Sequence, residues 1–281
     1  MWMMAVRIIA EEYAKQDARI VVIHKQNGGL SSARNVGLCI SHGKYVCFVD
    51  GDDWIDKAYV ESMVDALEKH GSDLVACGVH KTDRPKAEIE DTEEVIIKDK
   101  YIAALHDDCI AGYACNKLFS LDIIRRYGLQ FNENIFNGED LPFVVSYLKY
   151  CVTVIFLKQE LYNYFIRPGS ITTNITFSDR YATILHAREC VMHMFEIEKE
   201  QACFHIERSA YLMHLIKLYY LAKDTSKSKK EWRSDFKSKI KKHLPATMRS
   251  QYVASKRKAQ FVLMWYGRFI IGPIYCKKIS A

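Results

Sequence analysis

The chain has 281 residues, of which 49% are hydrophobic and 12% aromatic, so it has enough apolar residues to bury a core and is not disordered throughout. Its nine cysteines include no CxxC pair and no secretory signal is recognisable, which favours reduced thiols in a cytosol and excludes a disulfide scaffold. Residues 1–222 contain 24 Lys and Arg against 31 Asp and Glu, whereas residues 223–281 contain 16 against 3. We therefore expect the basic region to face either nucleic acid or anionic lipid.

The first part of the chain alternates helices with short apolar strands. Apolar runs at residues 20–24, 45–50 and 73–80 predict buried strands. Helical patterns occur at residues 5–16 and 54–70, and a further helix follows the glycine turn after the first run. Strands that alternate with helices predict a three-layer α/β fold with a mostly parallel central sheet.

The rest of the chain predicts an α+β arrangement and then a helical region. Residues 81–99 are charged and lack periodicity, which favours a loop or a short hairpin. Further helices are predicted near residues 100–107, 121–127 and 139–148, strands at 152–157 and 161–166, and helices over 179–222 with a lysine-rich break at 225–230.

Three carboxylates, Asp50, Asp52 and Asp53, follow a buried strand directly in the segment FVDGDDW. The carboxyl ends of strands in open α/β sheets are where ligands bind. Because such closely spaced charges repel one another, a divalent cation with hard oxygen ligands would relieve the cost. A solvated turn that caps the next helix is an equally good interpretation of this motif alone.

A glycine turn precedes this acidic segment. Asn27 and Gly28 lead into a helix that carries Arg34 and Asn35, and a helix N-terminus with close backbone approach suits an anion. Arg34 adds a forked donor for a phosphate or a base carbonyl. A double glycine before a helix is also typical of a plain turn.

A second acidic pair, Glu139 and Asp140, begins a predicted helix in the segment FNGEDLPF. Acidic residues favour a helix N-terminus for electrostatic reasons alone, so helix capping explains the pair without a function. Alternatively, a carboxylate at the rim of a site can accept the proton of an attacking hydroxyl.

Taken in order, the motifs NGGLSSARNVG, GKYVCFVDGDDW, NKLF and NGED resemble the family-2 inverting glycosyltransferases of bacterial polysaccharide synthesis. The likeness covers residues 7–173. It implies a nucleotide-sugar-binding α/β domain of the GT-A type over residues 1–178 and a helical, basic appendage over 179–281.

The resemblance assigns roles to the residues at the glycine turn and at the acidic strand end. It implies that Asp50 contacts the ribose or the metal, that Asp52 binds Mn²⁺ or Mg²⁺ bridging the diphosphate, and that Asp53 supports this arrangement. Arg34 and Asn35 would hold the nucleotide, with Asn27 and Gly28 close to them.

The same resemblance makes Asp140 the general base and Glu139 the neighbour that orients the acceptor. Lys117, next to Asn116, matches a segment near the acceptor and the diphosphate, and Arg167 matches a loop that closes over the donor. Lys117 and Arg167 are also compatible with ordinary surface charges.

The chain departs from the family pattern at its N-terminus. Family members usually begin with a strand of the type SVIIPVYN and an acidic DDGS turn, whereas this sequence begins in the helix that follows them. The resemblance therefore implies that the first sheet strand and one nucleotide-binding carboxylate are missing. A misassigned start, a truncated gene and a degenerate protein are all open, and the last two predict weak donor binding because neighbouring strands lose their pairing.

Basic and large apolar residues alternate towards the end of the sequence. The apolar run at residues 261–275 is too short to span a bilayer. We expect this tail to lie on an anionic membrane, with Trp265 and Tyr266 inserted and the basic residues 256–258 and 277–278 at the headgroups. The alternative is a helix packed on the catalytic domain; nucleic-acid binding is not expected, since no recognised fold accompanies the charge.

The sequence as a whole predicts metal-assisted, inverting transfer of a hexose from a nucleoside diphosphate sugar, UDP-linked, to a polysaccharide or lipid-linked saccharide at the cytoplasmic face of a bacterial membrane. One alternative is a catalytically silent homologue that binds and stabilises another transferase in a homo- or hetero-oligomer. Another is a nucleotidyltransferase, which would also use acidic metal ligands but would not need a base such as Asp140.

Overall fold

A computed structural model describes residues 2–82, 93–105, 111–166, 177–222 and 227–267. Within these residues the chain forms one six-stranded mixed sheet in the order β1-β5-β3-β6-β2, and β4 also pairs with β6. The strands are β1 (Tyr45–Val46), β2 (Trp54–Ile55), β3 (Leu74–Thr82), β4 (Glu94–Ile96), β5 (Lys117–Ser120) and β6 (Val154–Phe165).

The predicted mostly parallel sheet is wrong in its strand pairing. Of the described pairs only β3 and β6 are parallel, and the other four are antiparallel. The strands β1 and β3 do run in the same direction, as their helix connection requires. However, β5 inserts between them and is antiparallel to both. Alternation along the chain fixed the direction of these strands but not which strands are neighbours.

Several predicted strands differ in the structure, and the one predicted at residues 45–50 is confined to β1, Tyr45–Val46. Residues 20–24 form no strand, and Val21 is 70% exposed, because this apolar run pairs with none of the described strands and a strand needs partners for its backbone groups. The runs at 152–157 and 161–166 form one continuous strand, β6. A register irregularity occurs in β3 beside Gly78, where an added Cβ would lie 2.9 Å from the carbonyl oxygen of Lys158.

The helices follow the sequence pattern more closely. Those predicted at 5–16, 121–127, 139–148 and 179–222 are confirmed, whereas the one predicted from residue 54 begins at Tyr59 because β2 precedes it. The described helices are α1 (Trp2–Gln16), α2 (Gly29–Ile40), α3 (Tyr59–His70), α4 (Lys100–Ala104), α5 (Leu121–Arg126), α6 (Asp140–Leu148), α7 (Asp179–Ala182), α8 (Ile184–Ile197), α9 (Gln201–Leu221), α10 (Lys227–Arg249) and α11 (Ser255–Tyr266).

The sheet has a hydrophobic core on each face, and the C-terminal helices have a third. Alternate residues of β3 enter opposite cores, so that Leu74 packs on one face and Val75 on the other. Helix α8 belongs to two cores, since Val191 packs against the sheet and Leu185 packs among the C-terminal helices. The helical region therefore shares its packing with the sheet, and the boundary at 178/179 stays a prediction.

The C-terminal helix α11 packs on helices α9 and α10. Trp265 is 5% exposed and its ring lies 5.4 Å from that of Tyr219. The prediction that Trp265 inserts into a membrane is therefore wrong, and α11 is a packed helix whose contacts are with the other C-terminal helices. Tyr266 is exposed, and residues 277–278 lie outside the described part of the chain. None of the described helices combines the length and apolarity needed to cross a bilayer.

Candidate active site

The acidic segment after β1 is a turn that one tyrosine holds from both ends. The N–H of Asp53 donates to the carbonyl of Asp50 at 3.1 Å and closes the turn. The hydroxyl of Tyr162 on β6 donates to the Asp53 carboxylate at 2.7 Å and accepts from the N–H of Asp50 at 3.1 Å. The second oxygen of Asp53 accepts from the N–H of Phe165 at 2.9 Å. Burial raises the pKa of Asp53, and these hydrogen bonds oppose the rise.

Arg34 joins this turn to the second acidic pair, which lies more than 100 residues after Arg34 in the chain. Its guanidinium donates to Asp50 at 2.9 Å, to Glu139 at 3.2 Å and also to Asp140. Its side chain is only 6% exposed, and it lies over the ring of Phe131 at 5.2 Å. Burial alone would lower the pKa of Arg34, but the three carboxylates outweigh it and the pKa is raised.

The acidic pair is held at the start of α6 by a glycine in the left-handed region and by a backbone donor. Gly138 has φ +78°, and an added Cβ would lie 2.3 Å from Cδ1 of Ile184, so this position needs glycine. The N–H of Ala114 donates to the Asp140 carboxylate at 3.0 Å. The pair therefore has a defined position and is more than a helix cap.

Both carboxyls of the pair hold protons more tightly than free carboxyls do. Burial, and then the charge of Asp140, raise the pKa of Glu139 to about 7. Burial also raises the pKa of Asp140, against the lowering effect of Arg34. One guanidinium thus faces three carboxylates, and the excess negative charge is relieved by proton uptake near neutral pH.

Lys117 is a buried cation and not a surface charge. It is fully buried at the start of β5, and its ammonium donates to the Asn116 side chain at 2.7 Å and to the carbonyl of Tyr113. It also lowers the pKa of Asp140, as a smaller contribution than that of Arg34. The interpretation of Lys117 as an ordinary surface charge is wrong.

The glycine turn and Asn35 belong to the same segment as Arg34, which contains the start of α2. Gly28 is exposed and precedes α2, and an added Cβ would lie 2.8 Å from the Ser32 hydroxyl. Asn27 accepts from the N–H of Gly29 at 3.1 Å. The amide of Asn35 pairs with the backbone N–H and carbonyl of Phe131, at 2.8 and 2.9 Å. Contact of these residues with a nucleotide stays a prediction, and Arg167 lies outside the described residues.

The carboxylates of the turn are the candidate ligands for a metal ion. Over the described residues no group of three or more His, Cys, Asp or Glu side chains is arranged to hold a metal. Each oxygen of Asp53 accepts one hydrogen bond, from Tyr162 or Phe165, and the role of Asp53 at a metal stays a prediction. Asp50 and Asp52 are half-buried hard-oxygen donors, and Mg²⁺ usually takes one or two carboxylates together with substrate phosphates.

Sequence reasoning missed two residues that position the site. Tyr162 lies in a predicted strand, and a buried tyrosine hydroxyl needs a partner, but the sequence does not show that this partner is the acidic turn. Phe131 lies in a predicted loop, and its stacking on Phe143 with ring centroids 4.0 Å apart supports Arg34 from below.

Comparison with known proteins identifies the first part of the chain. Residues 5–128 match the Glycosyl transferase family 2 sequence family. This part of the chain therefore resembles the glycosyltransferases of family 2. Over 174 residues it is 38% identical to the uncharacterized glycosyltransferase EpsJ of Bacillus subtilis, covering 58% of this chain and 50% of EpsJ. Over 178 residues it is 30% identical to the glycosyltransferase GlyA of Streptococcus pneumoniae, covering 58% of this chain and 25% of GlyA. The chain thus spans half of EpsJ and a quarter of GlyA.

The chain has a GT-A-like fold. The crystal structure of S. aureus TarS 1–349 in complex with UDP-GlcNAc matches 92% of this chain and 72% of that one, with a TM-score of 0.56 and 17% identity. The match extends beyond the sheet, so it includes helices of the C-terminal region. A GT-A-like domain with a mixed sheet and a helical C-terminal region confirms the predicted fold class, apart from the strand pairing given above.

Proposed function

We propose that the chain transfers a hexose from a nucleoside diphosphate sugar, UDP-linked, to a hydroxyl of a saccharide acceptor, with inversion at the anomeric carbon. The observation that carries this proposal is that one buried guanidinium, that of Arg34, contacts both Asp50 and Asp140. The carboxylate predicted to face the nucleotide and the carboxylate predicted to act as base are therefore on two sides of one small site.

Asp140 is suited to the role of base. In an inverting displacement the acceptor oxygen attacks the anomeric carbon, its proton passes to the base, and the bond to the diphosphate breaks. A base works best when its pKa lies near the working pH, and burial raises the pKa of Asp140. Arg34 fixes the direction of its carboxylate, and the N–H of Ala114 holds its second oxygen. Glu139, beside it, would orient the acceptor.

The turn at Asp50 and Asp52 supplies the donor side. These two carboxylates would hold Mn²⁺ or Mg²⁺, which when bound neutralises charge on the leaving diphosphate. Tyr162 fixes the turn through Asp53 and through the backbone of Asp50. The TarS structure contains UDP-GlcNAc, which supports a uridine diphosphate sugar as the donor here.

The proposal includes a role in making a bacterial polysaccharide, which the resemblance of the sequence motifs suggests. We propose a polysaccharide or lipid-linked saccharide as the acceptor and the cytoplasmic face of the membrane as the place of reaction. A catalytically silent homologue that partners another transferase would keep the fold and lose turnover. A kinetic test therefore separates an active transferase from a silent homologue.

The test compares the variants Asp52→Asn and Asp140→Asn. Calorimetry with UDP-GlcNAc and Mn²⁺ measures donor binding, and release of UDP measures turnover. We expect Asp52→Asn to lose binding and Asp140→Asn to bind donor normally while turnover falls by a factor of at least about 100. Asp65→Asn, an exposed carboxylate on α3, is the matched control and should change neither. Donor hydrolysis unaffected by both variants, or turnover of nucleoside triphosphates instead, would refute the proposal.

A further inference from the structure

A groove separates the two basic helices at the end of the described chain. It has a volume of about 360 Å³ and lies between α10 and α11, away from the acidic turn. Its walls are both cationic and apolar, and the lining residues are Lys237, Lys241, Leu244, Pro245, Trp265 and Tyr266.

The cationic wall belongs to the most basic part of the molecule. Over residues 227–267 there are 12 Lys and Arg against 2 Asp and Glu. Lys237 and Lys241 are one helical turn apart, both are exposed, and neither forms an ion pair with the described residues. By contrast, Lys239, on another side of the helix, pairs with Asp235 at 3.2 Å. The groove thus presents two cations whose counter-charge must come from solution or from a partner.

Large apolar side chains are exposed beside these cations. Leu263 and Tyr266 are 57% and 66% exposed on α11, and they are neighbours because they are three residues apart on a helix. Val262, four residues before Tyr266, is exposed as well. Trp265 forms part of the groove wall and is itself buried, so the helix is anchored to the domain from its other side.

We propose that this surface, the groove and the exposed side of α11, docks the protein on an anionic phospholipid bilayer. Lys237 and Lys241 would receive the headgroup phosphates, while Leu263 and Tyr266 enter the region between headgroups and acyl chains. The combination decides against nucleic acid, because a phosphate backbone offers charge but no apolar layer for Leu263. The bilayer contact is thus made by the outer side of a packed helix and not by Trp265.

The proposal is independent of the proposed transfer reaction, since docking is measured without donor or acceptor. Flotation of the full chain is compared on vesicles of phosphatidylcholine and of an equal mixture of phosphatidylcholine and phosphatidylglycerol. We expect binding to the anionic vesicles only, weakened by salt. The double variant Lys237→Glu, Lys241→Glu should lower the partition coefficient by at least roughly thirtyfold, because each basic residue near such a surface contributes about 1 kcal/mol.

Three controls make the test specific. The variant Lys15→Glu, Lys98→Glu makes the same change in net charge at exposed positions elsewhere and should bind as the wild type does. The variant Leu263→Ser, Tyr266→Ser keeps the charge and should lose roughly tenfold. UDP release with a soluble acceptor should be unchanged in both groove variants, which separates failed docking from a failed active site.

Several results would overturn the proposal. Equal binding to phosphatidylcholine vesicles would do so, as would unchanged binding of the Lys237→Glu, Lys241→Glu variant. Loss of binding only when Lys277 and Lys278 are replaced would assign the contact to another part of the chain. Competition by inorganic phosphate at millimolar concentration would indicate a small-anion site, and retention on duplex DNA in place of vesicles would indicate nucleic acid.

Discussion

Replacing Arg34 with methionine tests how the two halves of the site depend on each other. The change removes the cation that contacts Asp50, Glu139 and Asp140 and keeps an unbranched apolar chain over Phe131. Breaking a buried ion pair by removing one partner costs about 3–5 kcal/mol, since the remaining charge is left uncompensated. The side chain of Arg34 is 6% exposed and that of Glu139 is 10% exposed, so solvent screens this interaction little. We therefore expect the free energy of unfolding to fall by about 3 kcal/mol at pH 8.

The loss should depend on pH in a definite direction. The pKa values of Glu139 and Asp140 are raised in the folded protein, that of Glu139 to about 7. The folded state therefore binds these protons more tightly than the unfolded chain, so these groups favour folding increasingly as pH falls through about 7. Without Arg34 both pKa values rise further, because its charge lowers them. Protonation then removes the repulsion, and the destabilisation should shrink towards pH 5.

Urea unfolding followed by circular dichroism at pH 8 and at pH 5 measures this difference. Arg126→Met is the control, because Arg126 forms an exposed pair with Asp122 on α5, and such pairs contribute at most about 0.5 kcal/mol. An equal loss at both pH values, or a loss below about 1 kcal/mol at pH 8, would show that Arg34 is not the shared counter-charge of the three carboxylates.

Three further variants or conditions test other parts of the account. Tyr162→Phe removes the two hydrogen bonds that its hydroxyl makes to the acidic turn, so the KM for donor should rise more than kcat falls. Tyr59→Phe, which loses a hydroxyl bonded to the carbonyl of Cys115, should leave KM unchanged, and equal effects of the two variants would contradict this. Gly138→Ala should destabilise the protein by about 2–3 kcal/mol in thermal unfolding. Gly128→Ala, which also lies at positive φ but in open space, should destabilise it by about 1 kcal/mol. Equal losses would argue against a clash between residue 138 and Ile184. Turnover of the wild type should rise with pH through the raised pKa of Asp140, whereas the residual turnover of Asp140→Asn should not. The same pH profile in the wild type and in the variant would exclude Asp140 as the base.

The sequence located both acidic segments but not the contact that joins them. The order of Arg34, Asp50 and Asp140 along the chain is visible in the sequence, and the chemistry of their side chains suggested separate roles. That one guanidinium contacts both segments depends on packing across more than 100 residues, which local periodicity does not contain. The same limit explains Asn35, whose amide pairs with the backbone of Phe131, a contact that the sequence does not show.

The errors in the fold have a common physical origin. Residues 20–24 have the composition of a strand, but a strand forms only where a neighbour supplies hydrogen bonds. The insertion of β5 between β1 and β3 is likewise a property of pairing. Trp265 shows the same ambiguity for a helix, because a basic amphipathic pattern fits both a membrane surface and a protein core. Helices α5 and α6 were predicted well because their signals are local.

The most direct test of the central claim is a crystal structure of the full chain with a uridine diphosphate sugar and Mn²⁺, with the metal located by its anomalous scattering. We expect a manganese peak at the carboxylates of Asp50 and Asp52, with the anomeric carbon between that metal and Asp140. Manganese bound elsewhere, or a sugar turned away from Asp140, would contradict it.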